Sequence, residues 1–554
     1  MAEQEKKYAK DTILREMAKD VETPKGELIV AAITDGEVRG LSEPVGEYRS
    51  LSWVFVGDTI GQRVYRRSVL FLLVVAIREL YGAKESELIV RDSANNGLYC
   101  DIVLPCGVTD ESVAAIEAKM REIVREDRPI ERRPVPREEA VHLFKEVRQI
   151  PKANVIAAMK KETVDLWFCG QQYDDFYGVL VDRTGVLDCF TLERMDRGVL
   201  FRTPSGGGLM LPQVIFQPKF SQTLKDSVSW AKILHCEFLP DLNRIIQHGE
   251  TGNLIRISEA LHEKKIAEIA DRIASNIGKA RLVMIAGPSS SGKTSFAQRL
   301  KVQLRVNGLE PVSISLDDYF LDREKTPRTP AGAYDFESLH ALHVELFNEH
   351  LVALMAGKEV ALPHYDFVTG YRTDGAGEKL CITPEQPIIV EGIHGLNEAL
   401  THAVPRDQKF KIYISALTQL DLDMHNRIPT TEARLIRRLV RDYQFRASSA
   451  IKTLRQWPDV RHGEDQNIFP FQEEGDAIFN SALIYELAVL RKYAMPLLEA
   501  VPPEVTEYVH AQSLMRLLAN FEDIREEDDI PNNSILREFI GKSCFFTPTG
   551  ELKA

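Results

Sequence analysis

What this chain of 554 residues lacks narrows its reading early. Its seven cysteines are scattered with no CxxC pair, so neither a disulfide framework nor a zinc site is expected; buried or surface thiols are. The start, MAEQEKKYAKDT, puts no apolar stretch after its charges and does not read as a signal peptide. The longest apolar run, Val69 to Ile77, is nine residues, about half of what a bilayer span needs. Positive charge is in deficit: 69 Lys and Arg against 82 Asp and Glu leave a formal charge of −13. That balance argues against a general nucleic-acid coat while leaving room for a local basic cleft. Internal repeats and low-complexity tracts are absent as well. A cytoplasmic protein with no membrane partner is the expectation.

What is present is ordinary globular composition, 44% apolar and 27% charged, in a length suited to three or four domains. Residues 1–60 include short alternating runs, ELIVAAI and SWVFV, that predict a small β-rich module. Residues 61–205 read as an α+β domain. Arg66 to Tyr81 has helical spacing, ELIVRD and LYCDIVL read as strands around a turn at Asn95 to Gly97, and Val113 to Arg125 predicts a helix. Ser205 to Gly208 marks the junction to a linker and helical connector over 206–278, in which Ile257 to Ile277 is helical. From 279 to 510 strands, Gly-rich loop and helices alternate, which predicts a parallel α/β domain. A tail, 511–554, carries an acidic turn expected on a solvated surface and a short segment that can pack back on the body.

Within the α/β region stands G-x-x-x-x-G-K-[ST], as Gly287, Gly292, Lys293 and Thr294. The glycines let the backbone wrap closely, so that its N–H groups and the next helix N-terminus face phosphates. Lys293 supplies a point charge for β/γ oxygens and Thr294 a hydroxyl for Mg²⁺. Chance yields this pattern on the order of once in a hundred chains of this length. An apolar strand precedes it, and the following helix has a stop signal at Asn307-Gly308. ATP and Mg²⁺ are the cofactors implied, with Gly287, Pro288, Ser289, Ser290, Ser291, Gly292, Lys293, Thr294 and Ser295 as the ATP-binding stretch.

The next strand, Val312 to Leu316, ends in Asp317-Asp318, and parallel strands deliver their carboxyl ends to one crevice. Asp317 suits a general base or a metal ligand; a helix cap or turn residue is the plain alternative. Pro387 to Val390 ends in Glu391, placed for metal binding or as an ordinary acidic strand end. In TTEARLIRRLVRDY, Thr430 or Thr431 is a plausible N-cap, and Arg434, Arg437, Arg438 and Arg441 share one helix face. Those arginines could neutralise a transferring phosphoryl group or form a solvated basic face. No NKxD follows, which disfavours a GTPase, and Glu-Gly at the strand end is unlike a mechanical ATPase.

GPSSSGKT, SLDDYF, AYDFESLHAL, LPHYDFVTGYR, IIVEGIHGL and ARLIRRLVRD together resemble the uridine/cytidine kinases and phosphoribulokinases over about 281–495. The resemblance implies that Asp317 deprotonates a ribose 5′-hydroxyl and that Asp335 grips the ribose. It implies that Tyr365 and Phe367 line the nucleoside pocket, that Glu391 is metal-associated, and that some of the four arginines form a lid. Where uridine kinases carry a base-reading His, this chain has Gly370, so base choice is expected to relax or change.

Residues 62–200 resemble the editing-type domain of threonyl-tRNA synthetases, clearest in Thr109 to Glu146, and 27–60 resemble the TGS-like module before it. That family's HxxxH pair aligns with Arg67 and Phe71, and its later Cys/His pair roughly with Phe176 and Leu180. Without imidazole or thiolate, no editing activity is expected. A binding, regulatory or oligomerising platform is expected instead, in a homo-oligomer. Arg66 and Arg67 offer charge to RNA phosphate but read better as a surface pair.

The expected activity is transfer of the ATP γ-phosphate to a nucleoside 5′-hydroxyl, with Asp317 and Lys293 catalytic. The alternatives are a kinase of another small hydroxyl compound, such as a sugar phosphate, and an RNA-sensing regulator with a nucleotide switch.

Overall fold

The computed structural model describes residues 12–23, 27–94, 96–205, 209–328, 332, 334–366, 369–549 and 552–553. Phe367, Asn95 and the glycines at 206–208 lie outside them.

The front of the chain forms a three-stranded antiparallel sheet, Glu37–Arg39 / Ile29–Thr34 / Leu51–Phe55. The helix Thr59–Tyr81 follows, and its run from Val69 to Ile77 is buried throughout. A helix apolar on every side belongs inside a core. Here it packs with the four-stranded sheet made by Glu87–Ala94, Gly97–Val103, Gly198–Arg202 and Thr191–Met195. The helix predicted near Val113 runs Asp110–Glu126, started by a capping box between Thr109 and Ser112. Among the described residues no helix is long and apolar enough to cross a membrane.

The second half is a doubly wound unit. Its sheet is wholly parallel, in the order Val312–Ser315 / Ile388–Glu391 / Leu282–Ala286 / Lys409–Ser415 / Ala477–Asn480. The middle strand, Leu282–Ala286, is buried at every residue because both faces are covered. One face packs on helices Thr251–Ala274, Lys293–Val306, Thr430–Phe445 and Glu486–Glu499. The other packs on Val344–Met355 and the loops around it. The helix after the Gly-rich loop stops at Asn307, with Gly308 at φ +79°, as its sequence predicts. One cap differs. Thr430 and Thr431 are the first helical residues, and Pro429, whose ring fixes φ, precedes them with no side-chain cap.

The two halves interlock. The chain beyond the strand Lys409–Ser415 enters the front half, where Val90 N–H donates to Met424 O at 2.8 Å. His425 lies 2.9 Å from Asp174 through Nδ1 and 3.1 Å from Leu88 O through Nε2. Lys152, wholly buried, pairs with Asp174 and lies 3.6 Å from Asp423. Burial alone would raise the Asp174 pKa, but Lys152, His425 and Arg78 outweigh it and hold the carboxyl ionised.

Candidate functional site

Gly287 to Gly292 turn at the carboxyl edge of the middle strand, at the point where the strand order reverses and a crevice opens. Gly287 passes so close to the next strand that a Cβ would lie 2.0 Å from Ile414 O. Gly292, at φ +81°, is the N-cap of the helix opened by Lys293. Ser290 also sits at φ +58°, a conformation that costs a non-glycine residue about 1 kcal/mol or more. Arginines from the helix Thr430–Phe445 hold it there. Arg434 donates to Ser289 O at 3.0 Å and Arg437 to Ser290 O at 3.3 Å. With loop carbonyls occupied from behind, the first-turn N–H groups, which lack intrahelical acceptors, remain the natural anion seat.

Lys293 folds over this loop and donates to Gly287 O at 2.9 Å and Pro288 O at 3.2 Å. Thr294 Oγ1 donates to Glu391 Oε2 at 3.1 Å. Burial pushes the Glu391 carboxyl up to about 7, against the pull of Lys293. Ile285 and Ser315 both stand in register with Glu391, so three strand ends reach one edge. Asp317 lies two residues beyond Ser315, whose Oγ accepts its N–H at 3.2 Å. Asp317 is exposed at this edge. The surrounding protein desolvates it and raises its pKa, Asp318 adds to this, and Lys293 and Arg446 oppose.

Asp335 and Tyr365 are the residues expected on the substrate side. Asp335 is anchored by its N–H to Pro327 O at 2.8 Å. Tyr365 is buried, its N–H donating to Asp318 Oδ1 at 3.3 Å and its ring 5.6 Å from that of Phe320. Phe367 falls outside the described residues. The four arginines divide. Arg434 and Arg437 are buried and committed to Glu464 and Glu486, at 2.5 Å each. Arg438 and Arg441 are only partly covered, and Arg438 reaches Ser289 Oγ at 2.7 Å.

Sequence reasoning passed over several neighbours. Glu464 accepts the Ser289 N–H at 2.8 Å, and Glu538 accepts the Ser295 hydroxyl at 2.6 Å. Their partners lie 175 and 243 residues away, so no local pattern announces them. Glu337 feels Lys293 and Arg438, and burial raises its pKa. It stood in plain view inside AYDFESLHAL. Arg446 was also legible, as the residue that ends the same arginine-bearing helix.

In the front half, Phe71 and Phe176 meet edge to face at 5.7 Å, and Leu180 is buried in the same core. Arg67 is not the free surface cation its sequence suggests, since it donates to Val179 O at 2.8 Å. The four positions aligned with the synthetase pairs therefore do come together, as apolar contacts and a main-chain tie.

A Gly-rich loop with its lysine at the switch point of a parallel sheet, flanked by acidic strand ends, defines a P-loop nucleotide-binding type of region. Residues 282–485 match the model of the Phosphoribulokinase / Uridine kinase family. Two solved structures are similar in part. One is a putative fructose transport system kinase from Silicibacter sp. TM1040, at 17% identity, TM-score 0.26, covering 39% of this chain and 98% of that one. The other is a possible uridine kinase from Bacillus stearothermophilus, at 19% identity, TM-score 0.25, covering 38% and 98%. The N-terminal part is similar to threonine–tRNA ligases. That of Acidithiobacillus ferrooxidans (strain ATCC 53993 / BNL-5-31) is 33% identical over 167 residues, 30% of this chain and 26% of that protein. That of Thermotoga neapolitana is 30% identical over 189 residues, 34% and 29%. The chain thus spans under a third of the length of these ligases.

Proposed function

We propose that this chain transfers the γ-phosphoryl group of ATP to the 5′-hydroxyl of a nucleoside. The observation that carries the reading is the common edge: Lys293, Thr294, Glu391 and Asp317 gathered at the ends of three adjacent parallel strands. The residues present fit ATP and magnesium. The loop and helix start offer N–H donors, and Thr294 and Glu391 form a hydroxyl–carboxylate pair 3.1 Å apart, with the carboxylate desolvated enough to favour a cation. Among the described residues no three His, Cys, Asp or Glu side chains form a ready-made metal cage. Magnesium keeps most of its shell as water and phosphate oxygen, so it needs few protein ligands. Bound there, the ion would neutralise charge on the phosphate oxygens.

In this reading Lys293 leaves the Gly287 and Pro288 carbonyls for the β/γ oxygens. Asp317 accepts the proton of the attacking hydroxyl, and a cleft that raises its pKa makes it a better base than a solvated aspartate. Asp335 and Tyr365 position the acceptor. Arg438 and Arg441 offer charge to the transferring group, and Arg434 and Arg437 keep the loop in shape. Positioning and charge stabilisation supply most of the rate.

ADP release on a panel of nucleosides tests this. We expect nucleoside-dependent turnover that Lys293→Ala abolishes. Asp317→Asn is expected to lose on the order of 10²–10⁴-fold in kcat while binding ATP nearly as before. Gly370, in place of a base-reading histidine, favours keeping sugars and sugar phosphates on the panel. Turnover with those alone would replace the nucleoside assignment, and turnover indifferent to every acceptor would sink the kinase reading.

A further inference from the structure

The segment Pro531–Ile540 returns from far along the chain and lies on the phosphate loop. Ile535 fills the space beside Gly292, where a Cβ would meet its Cγ2 at 2.5 Å. The Phe539 ring sits 5.1 Å from the Arg437 guanidinium, on the helix that braces the loop from behind. Ser534 Oγ donates to the buried Glu259 at 2.5 Å, and Arg537 donates to Ile530 O at 2.9 Å and Glu527 O at 2.7 Å. Ile535, Leu536 and Phe539 are all fully buried, so the segment is seated rather than draped.

These anchors leave Glu538 facing the start of the loop helix. Its Oε2 accepts from the Ser295 hydroxyl at 2.6 Å and from the Ser295 N–H at 3.4 Å. Ser295 is the third residue of that helix, so its N–H is one of those with no intrahelical acceptor, the kind that a loop of this type turns to phosphate oxygens. The Glu538 charge also reaches Lys293 and Glu391. An acidic side chain at a helix start is an ordinary dipole contact. Two things make this one different: it sits on the phosphate cradle itself, and it is delivered by a separate packed segment.

We propose that Glu538 is a built-in stand-in for a nucleotide phosphate, held on the Ser295 donors by Pro531–Ile540, and that the segment shifts when a triphosphate enters. The inference rests on the loop being a nucleotide site. A carboxylate and a phosphate oxygen cannot share the same donors, and their like charges repel at close range. Nucleotide affinity is therefore set partly by how firmly this segment is seated.

The test measures ATP binding to the full chain by equilibrium dialysis for wild type, Glu538→Gln, Glu538→Ala and Lys293→Ala. Hydrogen exchange across residues 531–540 is followed in the wild type with and without saturating ATP. Both Glu538 variants are expected to bind ATP about tenfold more tightly, from the charge removed. Wild-type amides in the segment are expected to exchange faster with ATP present. ATP binding that depends on Lys293, yet is unchanged or weakened in both Glu538 variants, would overturn the stand-in role and leave the nucleotide site intact. Unchanged exchange would overturn it too, without relying on any variant. Binding by none of the chains would instead remove the nucleotide reading, and this inference with it.

Discussion

Gly370 is where a family pattern and a backbone requirement part company. It holds φ +80°, its N–H donates to Asp366 O at 2.7 Å, and its own carbonyl accepts the Arg323 N–H at 2.8 Å. A Cβ there would lie 2.7 Å from Arg323 Cζ. Gly370→His should therefore cost about 1–3 kcal/mol in urea unfolding and fail to create a base contact. His262 makes a second residue-level case. It is buried against Phe479, 3.2 Å from Ala482 O, and burial depresses its pKa to about 3. Unfolded, it takes up a proton near 6.5, so its neutral form contributes stability above that pH, lost as pH falls toward 3. Between about pH 7 and 5 the loss should approach about 2 kcal/mol, and His262→Gln should flatten that slope in denaturation midpoints. Asp317 and Glu391 were readable from sequence because parallel strands end on one edge. The turn at Gly370 was not, since it depends on Arg323 arriving from another loop.

The arginine helix carries the lesson one level up. Spacing put four guanidinium groups on one face of Thr430–Phe445, but spacing is blind to what that face meets. Glu464 and Glu486, which bury two of them, come from the helices Ala450–Asn467 and Glu486–Glu499 later in the chain. Glu464 binds Arg434 with both oxygens, at 2.5 and 2.8 Å, while also taking the Ser289 N–H. Glu464→Gln should thus cost about 3–5 kcal/mol, as expected when a buried charge loses its partner, and loosen the loop. Arg438→Ala should behave in the opposite way. Its guanidinium is mostly covered and shared between Ser289 Oγ at 2.7 Å and Asp442 at 3.2 Å, but Arg441 stays on Asp442, so thermal stability should fall less than in Glu464→Gln, whereas turnover falls at least about tenfold. Comparing melting curves with steady-state rates separates the two. The tail shows the same limit. Its acidic turn is expected to be solvated, and Glu522, Glu526, Asp528 and Asp529 are exposed, but Glu527 is largely enclosed, tied to Lys492, Tyr493 and Arg537.

Across the molecule, Ser205 to Gly208 marks a junction in the sequence, while contacts far from it bind the two halves together. Arg427 reaches Ser93 Oγ at 3.0 Å, Asn426 Nδ2 reaches Asp175 O at 3.0 Å, and Arg63 meets Glu432 at 2.6 Å. Asp174 is the centre of this seam, since Arg78, Lys152 and His425 all converge on its carboxylate. Asp174→Asn should cost about 3–5 kcal/mol by stranding buried cations. Calorimetry should then show both halves melting earlier and together; a front-half transition that moves alone would refute the coupling. Asp174 and His425 stand 251 positions apart, a pairing that leaves no trace in local periodicity, and each half taken singly reads as self-sufficient.

The plug formed by Met424, His425 and Asn426 has a practical corollary for anyone dividing this polypeptide. Excising the phosphotransferase-like half along its apparent borders would bare a polar knob shaped for a missing socket, and would leave Lys152 in the other fragment short of its Asp423 neighbour. Each fragment would carry an open wound at the same place. Whatever else the synthetase-like portion does, it is the mould in which that loop is cast.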